Sequence, residues 1–321
     1  LEKKVLNFKQ VILVKIMTIE HLVISGGGHN ILPMFGAVKF LLEKNYLNLS
    51  DLKTFDGTSA GALLGFTLLL GVELDEIENY LTHRPWEKIF SISPEQIFEA
   101  FQTKGLFDIK LIEQIFLPLM NAVDIPLDIT FSDFYNKNSI EFTVYVTELN
   151  NLKTEYFSYK TTPDMKILDG IYQSSAVPPL FKPCVQGNKC FLDGGIFSNY
   201  PIDDFLKRNT DVDTNKIFGI KYLGNPNDKN DIITDKSTIT EYISCTIKKL
   251  IQEIIIHKDN VSSVKNELLF HSNGSSYNTL KNTISSSEER ERLIGEGKRR
   301  ASEYYLYKMK ENSKKKEKIK N

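Results

Sequence analysis

The chain lacks any run long and apolar enough to cross a bilayer. Its longest, AGALLGFTLLLGV (Ala60 to Val72), falls short of the roughly 20 residues a spanning helix needs and reads as a buried helix. Cysteine is scarce too. Cys184, Cys190 and Cys245 are too few, and odd in number, for a disulfide framework, which points to a reducing, cytoplasmic compartment. Cys184 and Cys190 flank VQGNK, a hairpin turn by composition, so the two could face each other across a strand pair; reduced strand residues are the plainer reading. Neither sign of charge dominates, with 40 Lys and Arg against 41 Asp and Glu and a net charge of −1, so no nucleic-acid partner is expected. The balance is uneven along the chain: Glu288 to Asn321 holds 12 basic and 7 acidic residues, a surplus of five that leaves −6 for the rest. The tail KKKEKIKN reads as a solvated end, with peripheral contact to an anionic membrane surface as the second reading. No zinc-ligand spacing is present, and NPNDKNDIITD lacks the central glycine and terminal glutamate of a calcium loop. The opening LEKKVLNFKQVILVKIM has a short apolar patch broken by Lys15 and no small-residue cleavage site, hence no secretory signal. Residues 1–16, ahead of Met17, are expected to be an extension outside the fold.

What is present is an ordinary globular composition, 41% hydrophobic and 25% charged, in a chain long enough for one large α/β domain or two small ones. The patterning favours a single domain over residues 17–310 followed by a basic tail, 311–321, since no repeat and no long linker interrupts it. Ile19 to Ser25 reads as a strand, Met34 to Lys44 as a helix, LKTFDG as a second strand and Ala60 to Leu70 as a buried helix. That alternation marks an α/β fold with a mostly parallel central sheet and helices on both faces. Leu74 to Met120 reads as helical, broken near Pro85, Pro94 and Gly105. IEFTVYVTELNNLKTEYFSYK is a hairpin by pattern. A short helix over Lys166 to Ser175, a strand ending at CFLDGG, the strand KIFGIKYL, and helices over Thr238 to Lys258 and Ser287 to Lys310 complete the reading.

Three local patterns carry chemistry. HLVISGGGHNILPMFGAVKF sets Gly26, Gly27 and Gly28 between a strand and a helix, where bare backbone serves a tight turn or an anion site of N–H groups. FDGTSAGALLG contains Gly57, Ser59 and Gly61 as G-x-S-x-G between a strand and a helix, the setting that holds a serine hydroxyl proud of a sheet. A serine needs a base, and FLDGGIFSNYP offers Asp193 at a strand end. Alone, Asp193 is an ordinary turn aspartate before Gly-Gly. Together the three form one site: the glycine triplet as oxyanion donors, Ser59 as nucleophile, Asp193 as base.

The ordered motifs SGGGHN, GTSAG, SSAVPPLFKP and LDGGIFSNYP closely resemble the patatin-like phospholipase family over about Thr18 to Pro201. KGLFDIKLIEQIF and VYVTELNNLKTEYFS add softer matches. The resemblance implies a patatin-like three-layer sandwich and a Ser–Asp dyad without histidine, carried here by Ser59 and Asp193. It also implies action on lipid acyl esters with neither metal nor cofactor. One departure stands out: the family usually has a basic residue two places after the triplet and then a glycine, where this chain has Asn30 and Ile31.

Two rivals stay open. A Ser–Asp–His hydrolase would draw its histidine from His257 or His271, although His257 near a helix end is more simply a cap. A catalytically inactive lipid-binding or scaffold relative would leave Ser59 unreactive towards a fluorophosphonate probe. His29 is expected to offer its backbone N–H rather than its ring, and His21 and His83 to be structural or exposed. Phe90, Phe98, Phe101, Phe107 and Phe116, in the helices from Trp86 to Met120, are core candidates, with an interfacial lip for a lipid chain as the alternative. The sequence carries no signal of oligomeric state.

Overall fold

The structure, a computed structural model, describes residues 18–223, 232–239, 241–243, 245–247, 249–250, 262–271 and 277–320. The expected extension (residues 1–16), His257, most of the GNPNDKNDIITDK loop and the end of the expected Thr238–Lys258 helix lie outside them. Five strands form the parallel part of one sheet: β1 (His21–Ile24), β2 (Thr54–Thr58), β3 (Glu141–Glu148), β7 (Ile217–Leu223) and β8 (Asn266–His271). β4 (Lys153–Phe157), β5 (Cys184–Gln186) and β6 (Lys189–Asp193) join antiparallel. The hydrogen-bonded order is β5-β6-β3-β2-β1-β7-β8, with β4 also on β3. The expected α/β class with a mostly parallel sheet is therefore what the chain adopts, and β3–β4 is the expected hairpin.

One detail of the pairing positions everything that follows. β3 pairs with β4 over residues 144–148, with β2 over 141–145 and with β6 over 146–148. A strand has two edges, so β4 takes one and β2 and β6 share the other. Thr58, the last residue of β2, lies opposite Tyr145, and Asp193, the last of β6, lies opposite the next residue, Val146. The two strands meet end to end.

Residues of alternate parity along the strands define two unlike faces. Leu22, Ile24, Phe55, Phe142, Phe218 and Ile220 point into the main core. They meet α1 (Ile31–Glu43), α2 (Ala60–Leu69), α3 (Leu74–His83), α6 (Ile109–Asn121), α7 (Phe131–Asn138), α8 (Ile167–Ser174) and α12 (Ser287–Lys320). The remaining helices among the described residues and named here are α4 (Trp86–Ile89), α5 (Pro94–Thr103), α9 (Gly195–Ser198), α10 (Ile202–Arg208) and α11 (Tyr277–Ser285). On the other face a small cluster of Val23, Tyr200, Ile202, Phe205, Ile217 and Val264 sits beside buried polar residues of β1, β2 and β3.

Boundaries differ from expectation for physical reasons. α1 begins at Ile31, three residues before Met34, because Pro33 falls in the first turn, where its missing N–H is no loss. α12 continues past Lys310 to Lys320. β8 and α11 carry no sequence signal strong enough to read; β8 is a six-residue edge strand of mixed burial. Cys190 lies opposite Val185 and Cys184 opposite Phe191, so the two thiols are offset by one residue rather than face to face.

Candidate active site

The turn from β2 into α2 is tight because two backbones cross there. A Cβ on Gly61 would lie 2.8 Å from the Ser25 carbonyl oxygen, and one on Gly57 would lie 2.6 Å from the Gly61 carbonyl carbon. The chain reverses through Ser59, whose φ of 49° and ψ of −117° is a conformation that side-chain-bearing residues rarely adopt. Two contacts hold it. The Ser59 N–H donates to Ser174 Oγ at 2.8 Å, and Ser174 Oγ donates to the Tyr145 carbonyl at 2.6 Å. Ser59 thus sits at the N-cap of α2, facing the helix's positive end, and is 8% exposed.

Asp193 is 5% exposed. Its backbone N–H donates to the Ala176 carbonyl at 3.1 Å, which ties the end of β6 to the segment after α8. Oδ1 accepts the Gly195 N–H at 2.6 Å, while Oδ2 is buried with no partner of good hydrogen-bond geometry. Burial pushes the Asp193 carboxyl up to about 6, against the Ser59 side chain and the Gly195 N–H, which favour the charged form. A carboxylate so placed is ionised at neutral pH yet far more basic than one in water.

The glycine loop divides its labour. The Gly26 N–H is already donated to the Asn199 carbonyl at 2.9 Å, so it is a structural donor here and not an open one as the sequence suggested. Gly27 and Gly28 have N–H groups with no hydrogen-bond acceptor among the described residues. Gly28 has φ of 56°, the left-handed region that favours glycine. Asn30 braces the turn: its backbone N–H and its side-chain Nδ2 both donate to the Gly27 carbonyl, at 3.1 and 2.7 Å. The amide thereby holds the loop at the position where a basic residue was expected.

Residues 193–208 staple these parts together. The Ser198 carbonyl accepts the Thr58 hydroxyl at 2.9 Å. Asn199 Oδ1 occupies the space that a Cβ on Gly26 or on Gly195 would need, at 2.5 and 2.9 Å, so the glycine loop and the aspartate turn converge on this one side chain. Farther along, Arg208 binds the buried Asp56 and reaches Glu141 at 3.3 Å and the Tyr145 hydroxyl at 2.8 Å. Nothing in the sequence marks Ser174, Asn199 or Arg208 as a site residue. Ser174 and Asn199 do lie in SSAVPPLFKP and LDGGIFSNYP, which matched as motifs without a role for either residue.

Among the described residues, no group of three or more His, Cys, Asp or Glu could hold a metal. His271 ends β8, three strand spacings or about 14 Å along the sheet from β2. His21 is buried, hydrogen-bonded to Thr54 at 3.1 Å and packed on Phe205, and burial lowers its pKa.

The sequence matches the family described as patatin-like phospholipase over residues 22–206, more than half of the chain, a span that includes the glycine loop, Ser59 and Asp193. The chain belongs to the patatin-like phospholipase family. It is 29% identical over 188 residues to the probable lipid hydrolase 463L of Invertebrate iridescent virus 6, covering 58% of this chain and 63% of that protein. It is 28% identical over 213 residues to protein R571 of Acanthamoeba polyphaga mimivirus, covering 66% and 68%. Its fold is similar to the crystal structure of VipD from Legionella pneumophila, with a TM-score of 0.50 and 17% identity over 89% of this chain and 66% of that one. The matches therefore span only about two thirds of the length of these proteins. No helix among the described residues is long and apolar enough to cross a membrane.

Proposed function

We propose that this patatin-like protein hydrolyses carboxylic esters of membrane or neutral lipids, as a phospholipase A-type acyl hydrolase, through an acyl-Ser59 intermediate with Asp193 as the only side-chain base. The observation that carries this reading is the end-to-end meeting of β2 and β6 on one edge of β3, which sets a strained serine beside a buried carboxyl of raised proton affinity. Asp193 takes the proton from Ser59 Oγ as that oxygen attacks the ester carbonyl carbon. The tetrahedral oxyanion is held by the N–H groups of Gly27 and Gly28, each worth roughly 3–4 kcal/mol if lost. Asp193 then protonates the departing alcohol; in the second half it takes a proton from water as that oxygen attacks the acyl carbon, and returns it to Ser59 Oγ as the acyl–Oγ bond breaks and the fatty acid leaves. A base whose pKa lies near 6 is matched to this exchange, because it must hold and return a proton within one cycle.

Fatty-acid release from mixed phospholipid vesicles tests the reading, with chelator present throughout. Wild type should be active, and Ser59→Ala and Asp193→Asn inactive, while His257→Ala keeps its rate. An equal need for His257 would put a triad in place of the dyad. Wild type that neither turns over nor takes up a fluorophosphonate at Ser59 would point to a lipid-binding scaffold.

A further inference from the structure

α5 is built inside out. Its apolar residues Ile97, Phe98 and Phe101 follow the spacing of a single helical stripe, yet they are 51%, 77% and 86% exposed. The residues turned towards the protein are Gln96, Ala100 and Thr103, polar or small and all half-buried. No residue of the helix is buried. The helix is carefully closed at both ends: Ser93 and Gln96 form a reciprocal capping box, Pro94 opens the first turn and Lys104 ends it in a left-handed conformation. Caps alone do not sustain ten residues of helix in water, where about 12–15 are marginal and stability normally comes from packing an amphipathic face. Here the face that should pack is the one turned outward.

The segment is anchored beside the candidate site. Phe90, before the helix, packs edge-on to Phe107, after it, with ring centroids 6.0 Å apart; Phe107 meets Phe181 at 5.9 Å and Phe181 meets Tyr172 at 6.1 Å. Tyr172 lies in α8, two residues before the Ser174 that holds the Ser59 turn. The N–H groups of Leu106 and Phe107 both donate to the Leu180 carbonyl, which fixes the end of the arm. Charge narrows the occupant. The helix carries Glu95 and Glu99 against Lys104 at its end, so it has no attraction for an anionic surface, and its free energy of docking must come from inserting apolar side chains.

We infer that the Ile97, Phe98 and Phe101 face of α5 inserts into the facing monolayer of a zwitterionic lipid bilayer and docks the protein with its candidate active site towards the substrate. The choice of a bilayer as occupant rests on the lipid acyl hydrolase reading; the exposed stripe itself does not. Of the five phenylalanines considered as a lip, only Phe98 and Phe101 serve in this way. Phe116 is buried in the core, and Phe90 and Phe107 are partly buried in the aromatic row that anchors the arm.

The test is flotation with phosphatidylcholine vesicles, using the full chain carrying Ser59→Ala so that the bilayer stays intact. Adding Phe98→Ser and Phe101→Ser should lower partitioning about tenfold or more, and raising the salt concentration should not. Unchanged circular dichroism and thermal melting would show that the variant is folded. Phe98→Trp should add an emission component that shifts to the blue with vesicles and is quenched by brominated lipid. Equal partitioning of both chains, or binding that requires anionic lipid and fails in salt, overturns the proposal. A dimer in solution that the serine substitutions dissolve, without vesicle binding, overturns it in favour of a second copy of the chain. Wild-type turnover of a water-soluble short-chain ester reports on the catalytic reading alone: if that fails while partitioning behaves as expected, the docking helix stands and the hydrolase does not.

Discussion

The two faces of the central sheet follow opposite rules. One presents Leu22, Ile24, Phe55, Phe142, Phe218 and Ile220 to long helices, and nothing on it needs a partner more specific than another apolar surface. The other presents His21, Thr54, Asp56, Glu141, Thr143 and Tyr145, all buried, to two helices of only 4 and 7 residues. Asp56 is fully buried, and burial pushes its carboxyl up to about 6 even though Arg208 and the Tyr145 hydroxyl pull it down. Arg208 also stacks over the Tyr156 ring at 4.6 Å. A sheet face made of apolar residues would be cheaper to bury. The polar face is covered by the segment that begins at Asp193, so one stretch of chain both brings Arg208 to Asp56 and, through Ser198 and Asn199, ties down Thr58 and the glycine loop. Most apolar burial is on one side of the sheet, and the scaffolding of the site on the other.

The sharpest way to separate the two sides is to remove the two groups proposed to react. Ser59→Ala and Asp193→Asn should each lower ester hydrolysis by about a thousandfold or more, with no loss of fold. Asp193→Asn should even stabilise the protein at pH 7, by about 1–3 kcal/mol, because it removes a buried charge. The sign follows from linkage: a carboxyl whose folded pKa is about 6 against 3.8 unfolded favours the fold most below about pH 4 and loses that contribution as pH rises through 6. The gain in melting temperature over wild type should therefore be present above pH 6 and vanish near pH 4.

Next in size is a matched pair of stability losses. Phe66, fully buried between Phe116 and Phe134 at 5.0 and 5.2 Å, should cost about 3–5 kcal/mol as Phe66→Ala by leaving a cavity. Arg208→Met should cost a similar amount, about 3–5 kcal/mol, by leaving Asp56 a buried charge without its guanidinium, while Glu141 keeps Lys160 at 2.5 Å. Denaturant titrations at pH 7 and pH 5 tell the two apart. The Arg208→Met deficit should shrink at pH 5, where Asp56 protonates, and the Phe66→Ala deficit should not. If both behave alike, the contrast between the faces is wrong.

A smaller effect is expected in the pH profile of kcat/KM, whose acid limb should fall with an apparent pKa near 6 as Asp193 takes up a proton. The smallest concerns Asn199. Asn199→Ala frees the corner on which the glycine loop and the aspartate turn converge and should reduce kcat about tenfold while leaving KM little changed.

The parts of the site legible in the sequence are those with local causes. A serine between two glycines at a strand-to-helix junction, a glycine triplet after a strand, and an aspartate before Gly-Gly are each a backbone geometry written in neighbouring residues. Ser174, Asn199 and Arg208 act across separations of 115, 173 and 152 residues, and no spacing along the chain announces that. Asp56 is visible only as a strand residue in FDGTS, because the charge it pairs with is a guanidinium from α10. The engagement of the Gly26 N–H has the same origin, since its acceptor is the Asn199 carbonyl. Phe98 and Phe101 share helical spacing with residues of α4 and α6 that pack inward, so the sequence groups together side chains that the fold sends in opposite directions.

The meeting of β2 and β6 makes β3 a ruler. Thr58, which leads into Ser59, and Asp193 end separate strands that never pair with each other, and their spacing is read off consecutive residues, Tyr145 and Val146, of a third strand. A slip of one residue between β3 and β6 would carry the carboxyl about 3.3 Å along the edge and turn it to the opposite face. The ladder of main-chain hydrogen bonds sets that spacing in whole-residue steps, so the distance between the serine turn and the carboxyl is inherited as a digit.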